Sequence, residues 1–207
     1  MKKQWTMGLA ALLLAASTGA ANLPQPDRIV PYKQTPQGEL TLHIFNPPGH
    51  DAKEPKPAIV FFFGGGWVKG GPSHFYRQAA HVAARGMVGI SAAYPTKEGH
   101  GTDPRACVMD AKSAMRWVRA HAGELGVDPN RIAAGGGSAG GHLAAATATL
   151  DKFDQPGEDA AVDCRPDALV LFNPVFDNGP KGYGHDRVKE YWKDFSPLHN
   201  LDKGMPP

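Results

Sequence analysis

Apolar residues fall into short continuous runs, separated by longer stretches with helical spacing. Ala58-Ile59-Val60-Phe61-Phe62-Phe63 is the densest run. It is β-branched and aromatic and stops at glycines, which predicts a central strand buried on both faces. Met87–Ala93 and Ala168–Phe172 read the same way, and Arg131–Gly135 reads as a shorter strand. Ser73 is expected to cap a helix running to about Arg85, with Gly86 as its stop. A longer helix is expected over Ala106 to Leu125, where Val108, Ala111, Met115 and Val118 recur on one apolar face. Val127–Asn130 reads as a turn and Ala139–Leu150 as a helix of small residues. Residues 22–57 are rich in Pro and polar side chains, with one alternating stretch. There Leu40, Leu42 and Ile44 predict a half-buried strand near the sheet edge.

Strands that alternate with helices imply a mostly parallel sheet with helices on both faces. Ligands in such sheets bind at the C-terminal ends of the strands. No repeat or low-complexity linker interrupts residues 22–207, which read as part of a single domain.

Composition narrows the class. The chain has 207 residues, 42% of them apolar, and a formal charge of +2. Two of the positive charges are Lys2 and Lys3, so the rest is close to neutral. That balance gives no reason to expect nucleic acid or an anionic membrane surface as a partner. Lys2 and Lys3, the apolar stretch Met7–Ala16 and the small residues Thr18 to Ala21 form a signal-peptide pattern. Residues 1–21 are therefore expected to be removed near Ala20 or Ala21, and the protein to be secreted or periplasmic. The apolar stretch is too short to span a bilayer, so no stable membrane anchor is expected. Export permits disulfides, but Cys107 opens a helix at one edge of the sheet and Cys164 precedes a strand at the other. A strand separates those edges by roughly 20 Å, so the two are expected not to pair.

Candidate chemistry enters at two glycine motifs. Gly136-Gly137-Ser138-Ala139-Gly140 is a G-x-S-x-G sequence between a strand and a helix. The turn that lifts such a serine above the sheet is strained and crowded, which requires Gly136 and Gly140. Gly135 to Gly140 also satisfies the dinucleotide pattern G-x-G-x-x-G. That reading leaves the second motif unexplained, and the strand from Ala168 does not end in an acidic residue suited to a ribose. The second motif is Phe63-Gly64-Gly65-Gly66-Trp67, directly after the central apolar strand. Acyl transfer develops an oxyanion, and glycines allow backbone N–H groups to turn towards it. Neither motif calls for a cofactor or a metal.

The pair resembles the α/β-hydrolase family, in the lipase and esterase branch that resembles hormone-sensitive lipase. There the oxyanion loop reads His-Gly-Gly-Gly-Trp and the elbow often reads Gly-x-Ser-Ala-Gly-Gly-x-Leu-Ala. This chain carries Gly136 to Ala144 in that pattern, and Asp110 and Trp117 also resemble it. The likeness covers roughly residues 58–175. It implies Ser138 as nucleophile and the N–H groups of Gly65, Gly66 and Ala139 as the oxyanion hole. It also implies a carboxylic ester substrate, a small molecule or a carbohydrate ester.

Two departures qualify the resemblance. Phe63 stands where the family usually has His, so altered packing with intact backbone donors is expected. The family's acid and histidine follow later strands, so both are expected beyond Pro207 and the chain reads as C-terminally truncated. Asp177, His185 and His199 are the local substitutes to weigh. Asp177 is expected to cap a turn, the histidines to lie on the surface, and His142 to serve packing. Residues 178–200, with Tyr183, Tyr191, Trp192 and Phe195, suit either a small cap over the site or a cover for the sheet edge. Two other functions fit less well. A prolyl-oligopeptidase-type peptidase is opposed by Ala139 and the Gly64–Gly66 loop. A non-catalytic binding module on a hydrolase scaffold would fit the missing acid and histidine.

Overall fold

The computed structural model describes residues 23–202 and 204–207. The signal-peptide reading therefore lies outside the described residues. Six strands form one sheet in the order β1-β2-β4-β3-β5-β6. They are β1 (Arg28–Thr35), β2 (Gly38–Phe45), β3 (Lys56–Phe62), β4 (Val88–Ala92), β5 (Val127–Gly137) and β6 (Ala168–Phe172). β3 to β6 run parallel, while β1 and β2 form an antiparallel hairpin at one edge. The helices are α1 (Tyr76–Ala83), α2 (Lys97–His100), α3 (Pro104–Ala120), α4 (Ala122–Leu125), α5 (Ala139–Thr149), α6 (His185–Val188) and α7 (Trp192–Phe195). Among the described residues, no helix is long and apolar enough to cross a membrane.

The four apolar runs are the four parallel strands, and Ala58 to Phe63 are all buried. Four details differ from the sequence expectation. β1 was not foreseen, because Pro31 and a polar composition hide it; the strand is an edge and its register shifts between Pro31 and Lys33. Ser73 caps nothing: it lies inside a 3-10 turn, Pro72–Phe75, that precedes α1. The long helix starts earlier, where the Asp103 carboxylate accepts from the N–H groups of Arg105 (2.9 Å) and Ala106 (3.3 Å). It also breaks at His121 before α4. Finally, the turn expected at Val127–Asn130 is a bulge within β5. Lys56 faces Val127 while Ala58 faces Ile132, so the intervening residues loop out.

α1 packs on one face of the sheet, and α3 and α5 on the other. Every residue of α5 is buried, and its run of Ala and Gly allows that close approach. Cys107 and Cys164 are buried and free, as the layout implied.

Candidate active site

β5 ends at Gly137 and α5 begins at Ala139, so Ser138 alone makes the turn between them. Its φ is 54° and its ψ is −121°, a left-handed conformation rare outside glycine. The surroundings over-determine it. Ser138 N–H donates to Phe172 O at 3.1 Å, and Ser138 O accepts from the N–H groups of His142 and Val175, both at 3.0 Å. A Cβ on Gly140 would lie 2.0 Å from Phe62 O, and one on Gly136 would lie 2.4 Å from Gly140 O. The spacing of the motif is therefore a steric requirement of this turn.

The glycine loop meets that turn directly. A Cβ on Gly64 would touch Gly137 O at 3.0 Å and the Ser138 Cβ at 3.4 Å. Phe63, in place of the expected His, is buried and stacks on Tyr94 with ring centroids 3.9 Å apart. The Tyr94 hydroxyl donates to Phe63 O at 2.6 Å. Apolar stacking thus supports the start of the loop. Gly65 O accepts from Val68 N–H (3.0 Å) and Lys69 N–H (3.2 Å). Among the described residues, nothing accepts from the N–H groups of Gly65, Gly66 or Ala139. Ala139 N–H also opens a buried helix, whose N-terminal end favours negative charge. Ala139 adjoins Ser138, and Gly65 and Gly66 follow the Gly64 that contacts it, so unpaired backbone donors flank the serine turn in the arrangement that receives a developing oxyanion.

No histidine ring hydrogen-bonds Ser138 among the described residues. No hydrogen bond reaches the Ser138 hydroxyl among the described residues. His142 is sealed in the core: its Nε2 bonds Phe195 O at 2.9 Å and its ring stacks on Phe195. Burial holds its pKa down at about 4. His185 Nδ1 bonds Asn178 O at 3.0 Å, and His199 Nδ1 bonds the Ser196 hydroxyl at 2.9 Å. Asp177 accepts from Gly179 N–H at 2.7 Å, the turn-capping role expected of it, and stands 3.8 Å from His199. Asp110 pairs with Lys33, and Trp117 stacks on His121.

Segment 178–200 lies against the glycine loop. Tyr183 and Phe195 pack on Trp67, and Arg187 Nη1 donates to Gly66 O at 2.8 Å. A cavity of about 770 Å³ opens beside the loop, with Lys97, Glu98, Thr102, Asp103, Asp186 and Arg187 in its wall. Trp192 is not in that wall and packs instead on His185 and His199. Arg187 was missed by sequence reasoning, since no motif surrounds it.

The profile of the BD-FAE family matches residues 42–177. This chain belongs to the BD-FAE family. The likeness to α/β-hydrolase esterases read from the two glycine motifs is thus borne out. The BD-FAE match is joined by similarity to the probable carboxylic ester hydrolase LipM of Mycobacterium tuberculosis, 37% identical over 141 residues. That stretch is 66% of this chain and 32% of LipM. Carboxylesterase NlhH of the same species is 34% identical over 113 residues, 54% of this chain and 34% of NlhH. The chain thus spans about a third of the length of these relatives. Among solved structures, Thermogutta terrifontis esterase 2 superposes with a TM-score of 0.84 at 42% identity, over 90% of this chain and 70% of that one.

Proposed function

We propose that this protein is a serine hydrolase that cleaves carboxylic esters through an acyl-enzyme intermediate. Ser138 is the proposed nucleophile, and the N–H groups of Gly65, Gly66 and Ala139 are the proposed oxyanion donors. The observation that carries this reading is the packing of the glycine loop on the strained Ser138 turn. In the proposed reaction a base takes the hydroxyl proton as Oγ attacks the ester carbonyl. The proton passes to the departing alcohol, and water activated by the same base then releases the acid. That base and its orienting acid are proposed to lie outside residues 23–207, because no histidine ring among the described residues hydrogen-bonds the Ser138 hydroxyl and His142 is sealed in the core.

The relatives support the class of reaction. Thermogutta terrifontis esterase 2 has been solved phosphorylated by paraoxon and with propionate bound. The cavity beside the loop reaches Gly66 but not Ser138, and the charged side chains in its wall would suit the hydroxyl groups of a small or carbohydrate-linked ester extending from the serine. Location outside the cytoplasm is proposed from Lys2, Lys3 and the apolar stretch after them. Mass spectrometry of protein exported by a bacterial host should show a mature chain starting near Ala21 or Asn22; an intact leader on cytoplasmic protein would refute it.

The whole protein should hydrolyse p-nitrophenyl acetate and be phosphorylated at Ser138 by paraoxon. Ser138→Ala should lower the rate by about 10⁴-fold or more. Retained activity in that variant would remove the nucleophile assignment. If the 207-residue chain alone turned over at the full rate, Asp177 with His185 or His199 would become the partners of the serine.

A further inference from the structure

The turn that follows the proposed oxyanion donors has an unusual composition. Gly65 O accepts from Val68 N–H at 3.0 Å, closing a four-residue turn with Gly66 and Trp67 at its centre. Their φ values are 64° and 60°. Positive φ at both central positions is the type I′ arrangement, which Asn, Asp and Gly fill readily and a large aromatic residue does not. Trp67 is therefore strained, and a competing geometry is close at hand. Rotating the central peptide, between Gly66 and Trp67, gives a type II′ turn. There only the first central residue, already a glycine, needs positive φ, and Trp67 relaxes.

One contact opposes that rotation. Arg187 Nη1 donates to Gly66 O, the carbonyl of that central peptide, at 2.8 Å. Arg187 sits on α6, which is anchored by the buried Val188. Its guanidinium lies over the Tyr183 ring, 5.7 Å from the centroid. Among the described residues it has no carboxylate within ion-pair distance, so this carbonyl is its principal partner. The fit is tight: a Cβ on Gly66 would meet Arg187 Nη1 and the Tyr183 hydroxyl, both at 3.0 Å.

The consequence for chemistry follows from the geometry of the turn. In a type I′ turn the N–H groups of the two central residues leave on one side, opposite the carbonyls of the residues before them. Here those carbonyls are held by Val68 and Lys69 on one peptide and by Arg187 on the next. A rotated central peptide would set the Gly66 carbonyl beside the Gly66 N–H. A carbonyl oxygen there repels the negative charge that the N–H is placed to receive.

We propose that Arg187 is a positioning residue. It holds the Gly66–Trp67 peptide in its strained orientation and so keeps the donor face of the glycine loop free of an opposing carbonyl. The proposal rests on the esterase reading of Ser138, and its tests separate the two. In the whole protein, Arg187→Met should lower kcat for p-nitrophenyl acetate by about 10-fold or more, short of the roughly 10²–10³ for losing a donor outright. For this substrate, which has no sugar hydroxyl for the cavity wall to bind, KM should change by no more than about 2-fold, and thermal stability little. Arg187→Lys should retain part of the rate, and added ethylguanidinium should restore part of it to Arg187→Ala. An unchanged kcat in Arg187→Met overturns the proposal, as does a loss that neither lysine nor ethylguanidinium relieves. Crystal structures of wild type and Arg187→Met decide the matter independently of turnover. A rotated or dual Gly66 carbonyl in the variant supports the lock, and an unmoved one overturns it. Absence of Ser138-dependent hydrolysis in the wild type would instead remove the esterase reading.

Discussion

His142 is wholly buried, with its ring between Trp67 and Phe195 and its Nε2 on the Phe195 carbonyl. Burial disfavours the imidazolium and holds the pKa at about 4, although the bond to Phe195 O pulls the other way. An unfolded histidine titrates near 6.5. Between those values the unfolded chain binds a proton that the folded chain refuses, so folding stability rises with pH across this window and is lost as pH falls through it. The full difference is on the order of 3 kcal/mol. Urea unfolding at pH 7 and pH 4.5 should therefore show a drop that shrinks in His142→Gln, whose amide can still donate to Phe195 O. An identical drop in the variant would detach the acid limb from His142. The same residue scale shows what a sequence discloses. Ser138 and its glycines were legible because their constraint is local: five consecutive residues must make one crowded turn. Arg187 was not, because its partner Gly66 lies far away in the chain and only folding brings them together.

Edge strand β1 is tied to α3 by charge. Lys33 pairs with Asp110 and also bonds the Ser113 hydroxyl (3.0 Å) and Gln155 Oε1 (2.8 Å). Burial raises the Asp110 carboxyl above its ordinary range, and the Lys33 ammonium draws it part of the way back. Removing only the lysine would leave a buried, uncompensated carboxylate, at a cost of about 3–5 kcal/mol. Lys33→Met should therefore lower Tm by roughly 10 °C, while Lys33→Met combined with Asp110→Leu should recover at least half of that. A double variant as unstable as the single would mean that the loss is not electrostatic. This link was invisible in the sequence. β1 carries Pro31 and polar side chains, so no alternation marks it, and its pairing with β2 makes it a strand. The inner parallel strands β3 and β4 were legible for the opposite reason, since burial on both faces leaves nearly unbroken apolar runs. Helix ends were legible only in part: the Asp103 cap and the break at His121 depend on local geometry that periodicity does not encode.

The two faces of the sheet are not equally covered. α3 and α5 close one face, while α1 covers only part of the other. Ile59, Phe61, Ala133, Val170 and Phe172 line an apolar groove of about 690 Å³ beside α1. Val170 is 39% exposed and Phe172 43%, although both lie on a strand whose sequence predicts burial on both faces. The outer side of β6 is met by Pro207, whose carbonyl accepts from Leu169 N–H at 2.8 Å. Contiguous apolar surface of this kind drives association, and its stabilisation scales at about 25 cal/mol per Å² removed from water. The 207-residue chain expressed by itself is therefore expected to self-associate through this face as its concentration rises. Phe172→Lys should suppress that association, since a charge in the groove must be desolvated to be covered. The substitution keeps the Phe172 backbone carbonyl that receives Ser138 N–H, so the serine turn should persist. Sedimentation velocity over a concentration series of both chains measures this. A wild-type chain that stays monomeric, or a variant that associates equally, would show that the groove is not the surface responsible.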